Sequence, residues 1–201
     1  MINLTIIIIA VTAIISIQAF SNHKMMNRFI LYPYQMEREK QWFRFLSSGF
    51  LHADWMHLII NMFVLYSFGS IVETYYDYFF GSASKIIFLL LYLSSIVAAS
   101  ASSFYKNKDN PSYRSLGASG AVSAITTTSI LFAPMAKIYL YGIIGLPNIV
   151  AGVLYLIYSQ YASRNSNDNI NHEAHFYGAV YGVLFTLVAK PRIFLYFLNQ
   201  F

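Results

Sequence analysis

From Arg114 to Ala124 the chain reads RSLGASGAVSA, the point at which polar sequence gives way to an apolar helical pattern. Two glycines bracket a serine there, in Gly117-Ala118-Ser119-Gly120. Small residues let membrane helices approach backbone to backbone, so the stretch taken alone reads first as a packing face. Beside an imidazole at the same depth, it also reads as the seat of a nucleophile. What surrounds it must decide.

Of the 201 residues, 57% are hydrophobic and 10% charged. A soluble domain carries roughly 25% charged residues, so the medium is expected to be lipid; the mean hydropathy of +0.52 agrees. The eight acids (Glu37, Glu39, Asp54, Glu73, Asp77, Asp109, Asp168 and Glu173) all lie between apolar runs or at their edges. Such segregation is expected where a charge at mid-bilayer costs ~2.5–3.5 kcal/mol or more. Cysteine is absent, which removes disulfides, thiolate chemistry and Cys-ligated metals. The net charge of +5 suits anionic lipid head groups. With no basic cluster, no nucleic-acid partner is expected.

A spanning helix needs ~20 largely apolar residues. Six runs approach that length, at about 3–20, 56–72, 85–104, 117–133, 138–158 and 173–189. They predict an all-α, polytopic membrane protein, a single bundle over 1–201 with no further domain. The first run lacks a basic n-region and a small-residue cleavage site, so it is expected to be a retained helix. The connection Ser21 to Asp54 mixes charges with aromatic rings, the pattern of a segment lying in the interface. The polar stretch Ser159–Ile170 is expected to be a loop.

Helices two, four and six cross in one direction, so their N-terminal ends share one face. His57 and Asn61 open the second, Ser119 the fourth and His175 the sixth. Four polar side chains are thereby expected at one depth. A cytoplasmic N-terminus would leave nine basic residues outside against Lys85, Lys137, Lys190 and Arg192 within, which the positive-inside rule opposes.

Few residues can activate hydrolysis inside a membrane. The zinc pattern HExxH is missing, since His172-Glu173-Ala174-His175 has i, i+3 spacing. A zinc site of His52, His57, His172 and His175 would lack a carboxylate close by, and no metal is expected. No helix carries a pair of acids. Ser119 with His175 as base remains, the imidazole being able to take a proton near neutrality; its alternative is an interfacial histidine bonded to water. His57 and Asn61, one turn apart, offer two donors for an oxyanion or, equally, for interhelical hydrogen bonds.

This constellation resembles the rhomboid family of intramembrane serine proteases, over nearly the whole chain. The family's histidine-histidine-asparagine pattern is similar to Leu51-His52-Ala53-Asp54-Trp55-Met56-His57-Leu58-Ile59-Ile60-Asn61-Met62. Its GxSG element resembles Gly117-Ala118-Ser119-Gly120, and its AHxxGxxxG element Ala174-His175-Phe176-Tyr177-Gly178-Ala179-Val180-Tyr181-Gly182. Arg44 and Glu73 match an arginine of the first loop and a glutamate after helix two. The resemblance implies a six-helix rhomboid-like bundle in which Ser119 is the nucleophile and His175 its base. It implies that His57, Asn61 and the Ser119 N–H bind the oxyanion, with no cofactor. Gly120, Gly178 and Gly182 would bring helices four and six within proton-transfer reach.

In well-known relatives an aromatic ring four residues after the nucleophile stacks on the histidine; Ser123 stands there instead. Gly142, Gly145, Pro147 and Gly152 are expected to loosen helix five, either as a gate for substrate or as a static kink. The implied activity is endoproteolysis of single-pass membrane proteins, with transmembrane substrates and lipids as partners. The alternative is a non-catalytic scaffold or chaperone of the same shape, and a transporter is disfavoured by the lack of buried charge in the helices. A bacterial plasma membrane is the expected location.

Overall fold

The computed structural model describes residues 3–140, 143–165 and 170–201. Its first helix, α1 (Leu4–Ser21), begins where the Asn3 side chain accepts the Ile6 N–H. It buries Thr5, Thr12 and Ser16 while Ile6, Ile7, Val11, Ile14 and Ile17 face outward. Polar side chains inside and branched apolar ones outside are the reverse of a soluble helix, and suit a solvent of lipid tails.

The connection to the next long helix is folded rather than extended. It forms α2 (His23–Phe29), α3 (Pro33–Glu39), α4 (Arg44–Ser47) and a 3-10 turn at Ser48–Phe50. Arg44 is its buried centre. The guanidinium donates to Asn27 O and Ile30 O at 2.8 and 2.9 Å, to Gln41 Oε1 at 2.6 Å and to Gln35 Oε1 at 3.0 Å. One planar fork thus satisfies carbonyls from two turns of chain, which a point-charge ammonium cannot do.

α5 (Trp55–Phe80) starts at Asp54, whose carboxylate accepts the His57 N–H at 2.8 Å. It runs beyond the expected end at 72, because its late charges find partners within the protein. Glu73 accepts the Leu4 N–H, the Thr5 N–H and the Thr5 hydroxyl at 2.9, 2.9 and 2.6 Å. It thereby caps the start of α1, a favourable place for negative charge. Lys85, from α6 (Ser84–Asn107), bridges Glu73 and Asp77 at 3.2 Å each. These contacts fold the apolar run Trp55–Asn107 back on itself at Gly81, where φ is +55°. By length and composition, that run and α1 can cross a membrane.

The centre is α7 (Ser119–Phe132), only 14 residues long and buried on nearly every side. At ~1.5 Å per residue it is shorter than the ~30 Å hydrocarbon core of a bilayer. The expected fifth helix at 138–158 is a correction. Lys137–Leu140 (β1) and Ile144–Pro147 (β2) pair antiparallel, with Ile138 opposite Leu146 and Tyr139 opposite Gly145. Only then does α8 (Asn148–Asn165) begin. Isoleucine, tyrosine and a nearby glycine favour a ribbon over a helix, and Pro147 ends the strand rather than kinking a helix. Gly142 lies outside the described residues. The fold is therefore helical with one hairpin rather than all-α. Ser159 to Asn165 belong to α8 and not to a loop; 166–169 lie outside the described residues.

α9 (His172–Ala189) runs beside α7, and α10 (Arg192–Leu198) turns away from it by 113° after Lys190-Pro191. A methyl group on Gly178 would strike the Gly120 carbonyl, and one on Gly182 the Ala124 carbonyl. Thr127 Oγ1 donates across the seam to Ala179 O at 2.7 Å. Lower down, the Tyr76 hydroxyl and Thr186 Oγ1 meet at 2.6 Å, tying α5 to α9.

Gly152 is also packed tightly, but against the Ile130 Cδ1 end of a flexible side chain. Gly182→Ala, which must move backbone, is expected to cost ~3 kcal/mol or more. Gly152→Ala is expected to stay within ~1 kcal/mol, because the helix-propensity gain offsets repacking. Thermal unfolding in detergent checks the contrast; equal losses would show that the two seams yield alike.

Candidate active site

Ser119, His175, His57 and Asn61 line one open cleft of about 900 Å³, walled also by Asp54, Met56, Ile60, Arg114 and Asn171. The helical residues of its lining come from α5, α7 and α9, and the segments leading into these helices supply nearly all the rest. Ser119 is the first residue of α7, and no side chain caps that terminus. The first N–H groups of a helix have no partners within it, so α7 offers them, with the positive end of its dipole, to the cleft.

His57 is held across the cleft from Ser119. Its Nδ1 accepts a long 3.5 Å contact from the Ala53 N–H, which favours a proton on Nε2. A methyl group at Gly117 would come within 3.0 Å of that Nε2 and 3.8 Å of Ser119 Oγ. Gly117, at φ +124°, is thus the spacer between donor and hydroxyl. Any side chain there is both strained and obstructive. Asn61 donates to His57 O at 2.9 Å, leaving its second amide hydrogen to the cleft.

Two residues outside the sequence expectations set this geometry. Asn171 caps α9 by accepting the Ala174 N–H at 3.1 Å. Its Nδ2 lies 2.9–3.2 Å from Ser103 Oγ, Ser115 Oγ and Tyr113 OH, so the start of α9 is pinned to α6 and to the segment leading into α7. The other is Tyr155 of α8. Its hydroxyl lies 2.6 Å from Ser123 Oγ, and its ring faces His175 at 6.4 Å between centroids, tilted 24°. An asparagine three residues before an N–H is a readable cap signal; a ring delivered from another helix leaves no local trace.

His52, Arg44 and Glu73 stand outside the cleft. His52 is fully buried, with Nδ1 2.9 Å from Ser16 Oγ and its ring edge-on to His57 at 4.9 Å. Among the described residues no three His, Asp or Glu side chains gather as metal ligands; the histidines form two ring pairs, His52–His57 and His172–His175. A small cavity of about 20 Å³ behind Gly117 and Gly120, lined by Ser48, Ser100, Ser115 and Asn171, has room for about one water.

Residues 39–192 match the Rhomboid domain. The chain belongs to the rhomboid family. It is 28% identical over 184 residues to RHOMBOID-like protein 12, mitochondrial, of Arabidopsis thaliana, covering 87% of this chain and 54% of that protein. It is 30% identical over 155 residues to Rhomboid-like protein 11, chloroplastic, of the same plant, covering 71% of this chain and 51% of that one. The chain spans about half the length of the curated relatives it matches. Family and apolar helices together make it a membrane protein. The organelles in the relatives' names lend no support to the bacterial plasma membrane expected above.

Burial pushes the His52 imidazole of this rhomboid down to about 3, helped by the nearby His57 and opposed by Asp54. Unfolded, the group takes up its proton near 6.5. The unfolded chain therefore binds more protons between those values, so stability falls as pH drops through that window. This group alone contributes about 1.4 kcal/mol per pH unit. His52→Gln is expected to flatten the pH dependence of unfolding there by one proton; parallel curves for the two proteins would contradict it.

Proposed function

We propose that the chain is an intramembrane serine endopeptidase that cuts single-pass membrane proteins, with α1, α5, α6, α7, α8 and α9 as its six crossings. The observation that carries this reading is the shared cleft. A serine at an uncapped helix start, a histidine and two side-chain donors converge on it from three different helices.

In this mechanism His175 takes the Ser119 proton as Oγ bonds to the scissile carbonyl carbon. The resulting oxyanion lies before the α7 N–H groups, His57 Nε2–H and the Asn61 amide. His175 returns its proton to the leaving amine as the C–N bond breaks, and water then releases the acyl group by the same route. Substrate must enter as extended chain, because a helix keeps its carbonyls in its own hydrogen bonds. Lipid and a transmembrane substrate are the partners this reading requires.

Ser119→Ala is expected to abolish cleavage of a transmembrane reporter while the protein still folds. Asn61→Ala is expected to lower kcat by roughly a hundredfold, as loss of one oxyanion donor does. A fluorophosphonate should label the wild type at Ser119. Cleavage undiminished in Ser119→Ala would remove this hydroxyl from the reaction and leave the non-catalytic reading of the bundle.

A further inference from the structure

We propose that Tyr155 of α8 is the positioning residue for His175, and that Ser123 is its latch. The proposal rests on the protease reading for its kinetic consequences, but its geometry stands independently.

The hydrogen bonds run in one direction. Ser123 has a single hydroxyl hydrogen, and it donates that to Ser119 O at 2.7 Å. With that hydrogen on Ser119 O, its oxygen is left to accept from the Tyr155 hydroxyl, 2.6 Å away. The chain Tyr155 O–H to Ser123 O–H to Ser119 C=O fixes one end of the phenol to the backbone of residue 119, and linked bonds of this kind strengthen one another. The other feature of the phenol is its face, which lies nearly parallel to the His175 ring at 6.4 Å, within the range of offset stacking. One side chain is thus registered to both Ser119 and His175.

The absence of an aromatic ring four residues after Ser119 acquires a physical meaning here. A serine at 123 is small enough to admit a ring from α8 and polar enough to hold its hydroxyl. The stacked face would also stabilise the imidazolium formed when His175 holds a proton. Because the ring belongs to α8, any movement of α8 away from α7 breaks the latch and withdraws the ring together. Orientation of the base is thereby coupled to the helix beside the cleft.

The test uses the full chain in detergent with 13C-labelled histidine, the His175 signal being assigned by His175→Gln. The His175 ring signals should carry a ring-current displacement that disappears in Tyr155→Leu and is only partly reduced in Tyr155→Phe, which keeps the ring but loses the latch. In parallel, reporter cleavage should fall roughly tenfold or more in kcat for Tyr155→Leu, with KM little changed, and distinctly less for Tyr155→Phe. Ser123→Ala, which deletes one oxygen, should reduce both displacement and kcat partially, and it carries the test if Tyr155→Leu does not fold. A His175 signal unmoved by Tyr155→Leu or by Ser123→Ala would overturn the proposal. So would a loss confined to KM. If no variant, wild type included, cleaves the reporter, the protease reading fails, while the His175 signal still decides the stacking.

Discussion

Two backbones in direct contact set the rest of this molecule. At Gly178 and Gly182, α9 presents no side chain, and the carbonyls of Gly120 and Ala124 on α7 occupy the space where one would be. Two helices cannot come closer than this. Dispersion and short polar contacts such as Thr127 to Ala179 can bind the seam only at that separation, because lipid offers no hydrophobic force to push helices together. Ser119 and His175 occupy matching ends of the seam, and so its width sets what separates hydroxyl from imidazole. In the proposed reaction the small residues around Ser119 pack closely because the chemistry requires it, and the two readings of the stretch become one.

The same solvent explains how polarity is distributed. α1 buries threonine and serine and turns isoleucine outward, an arrangement that water would oppose and hydrocarbon permits. Where charge does enter the bundle it is spent at once on neighbours: Glu73 on the first N–H groups of α1 and on Lys85, Arg44 on the carbonyls of the folded connection. That connection also answers the charge count. Arg38 and Arg114 lie over the rings of Tyr34 and Tyr32 at 3.7 and 3.9 Å, so these cations are fixed parts of an ordered layer. A rule calibrated on short loops weighs such residues poorly.

How far the sequence discloses this structure follows from how local each determinant is. α1, α6 and α9 lie within a few residues of their expected bounds, since an apolar run, and in α1 and α9 an Asn cap, are local signals. His57, Asn61, Ser119 and His175 share one cleft, a meeting expected from chain order alone. Three features were not legible. α5 continues past Val72 because Lys85 neutralises it from another helix. The ribbon at Lys137–Pro147 is an apolar stretch whose period cannot distinguish strand from helix over so few residues. Tyr155 is one of 17 tyrosines, and nothing near it marks it out; only contact with Ser123 and His175 does.

The proposed dyad, without a carboxylate, faces a problem that a triad solves electrostatically. When the base takes a proton in a low-dielectric site, the new cation needs compensation, and in a triad a buried acid supplies it. Burying such an acid within a membrane bundle would itself be costly, and the cleft residues adjoining Ser119 include no carboxylate other than Asp54, whose oxygen is already committed to the His57 N–H. The remaining means are dipoles and π faces, which carry no net charge and so avoid that cost. α7 aims its N-terminal dipole into the cleft, where the proposed reaction would develop an oxyanion, and an aromatic face lies alongside the imidazole. On the proposed reading, the groups around Ser119 and His175 that oppose the forming charge are uncharged dipoles and a ring face, and their arrangement holds only while the glycine seam keeps its width.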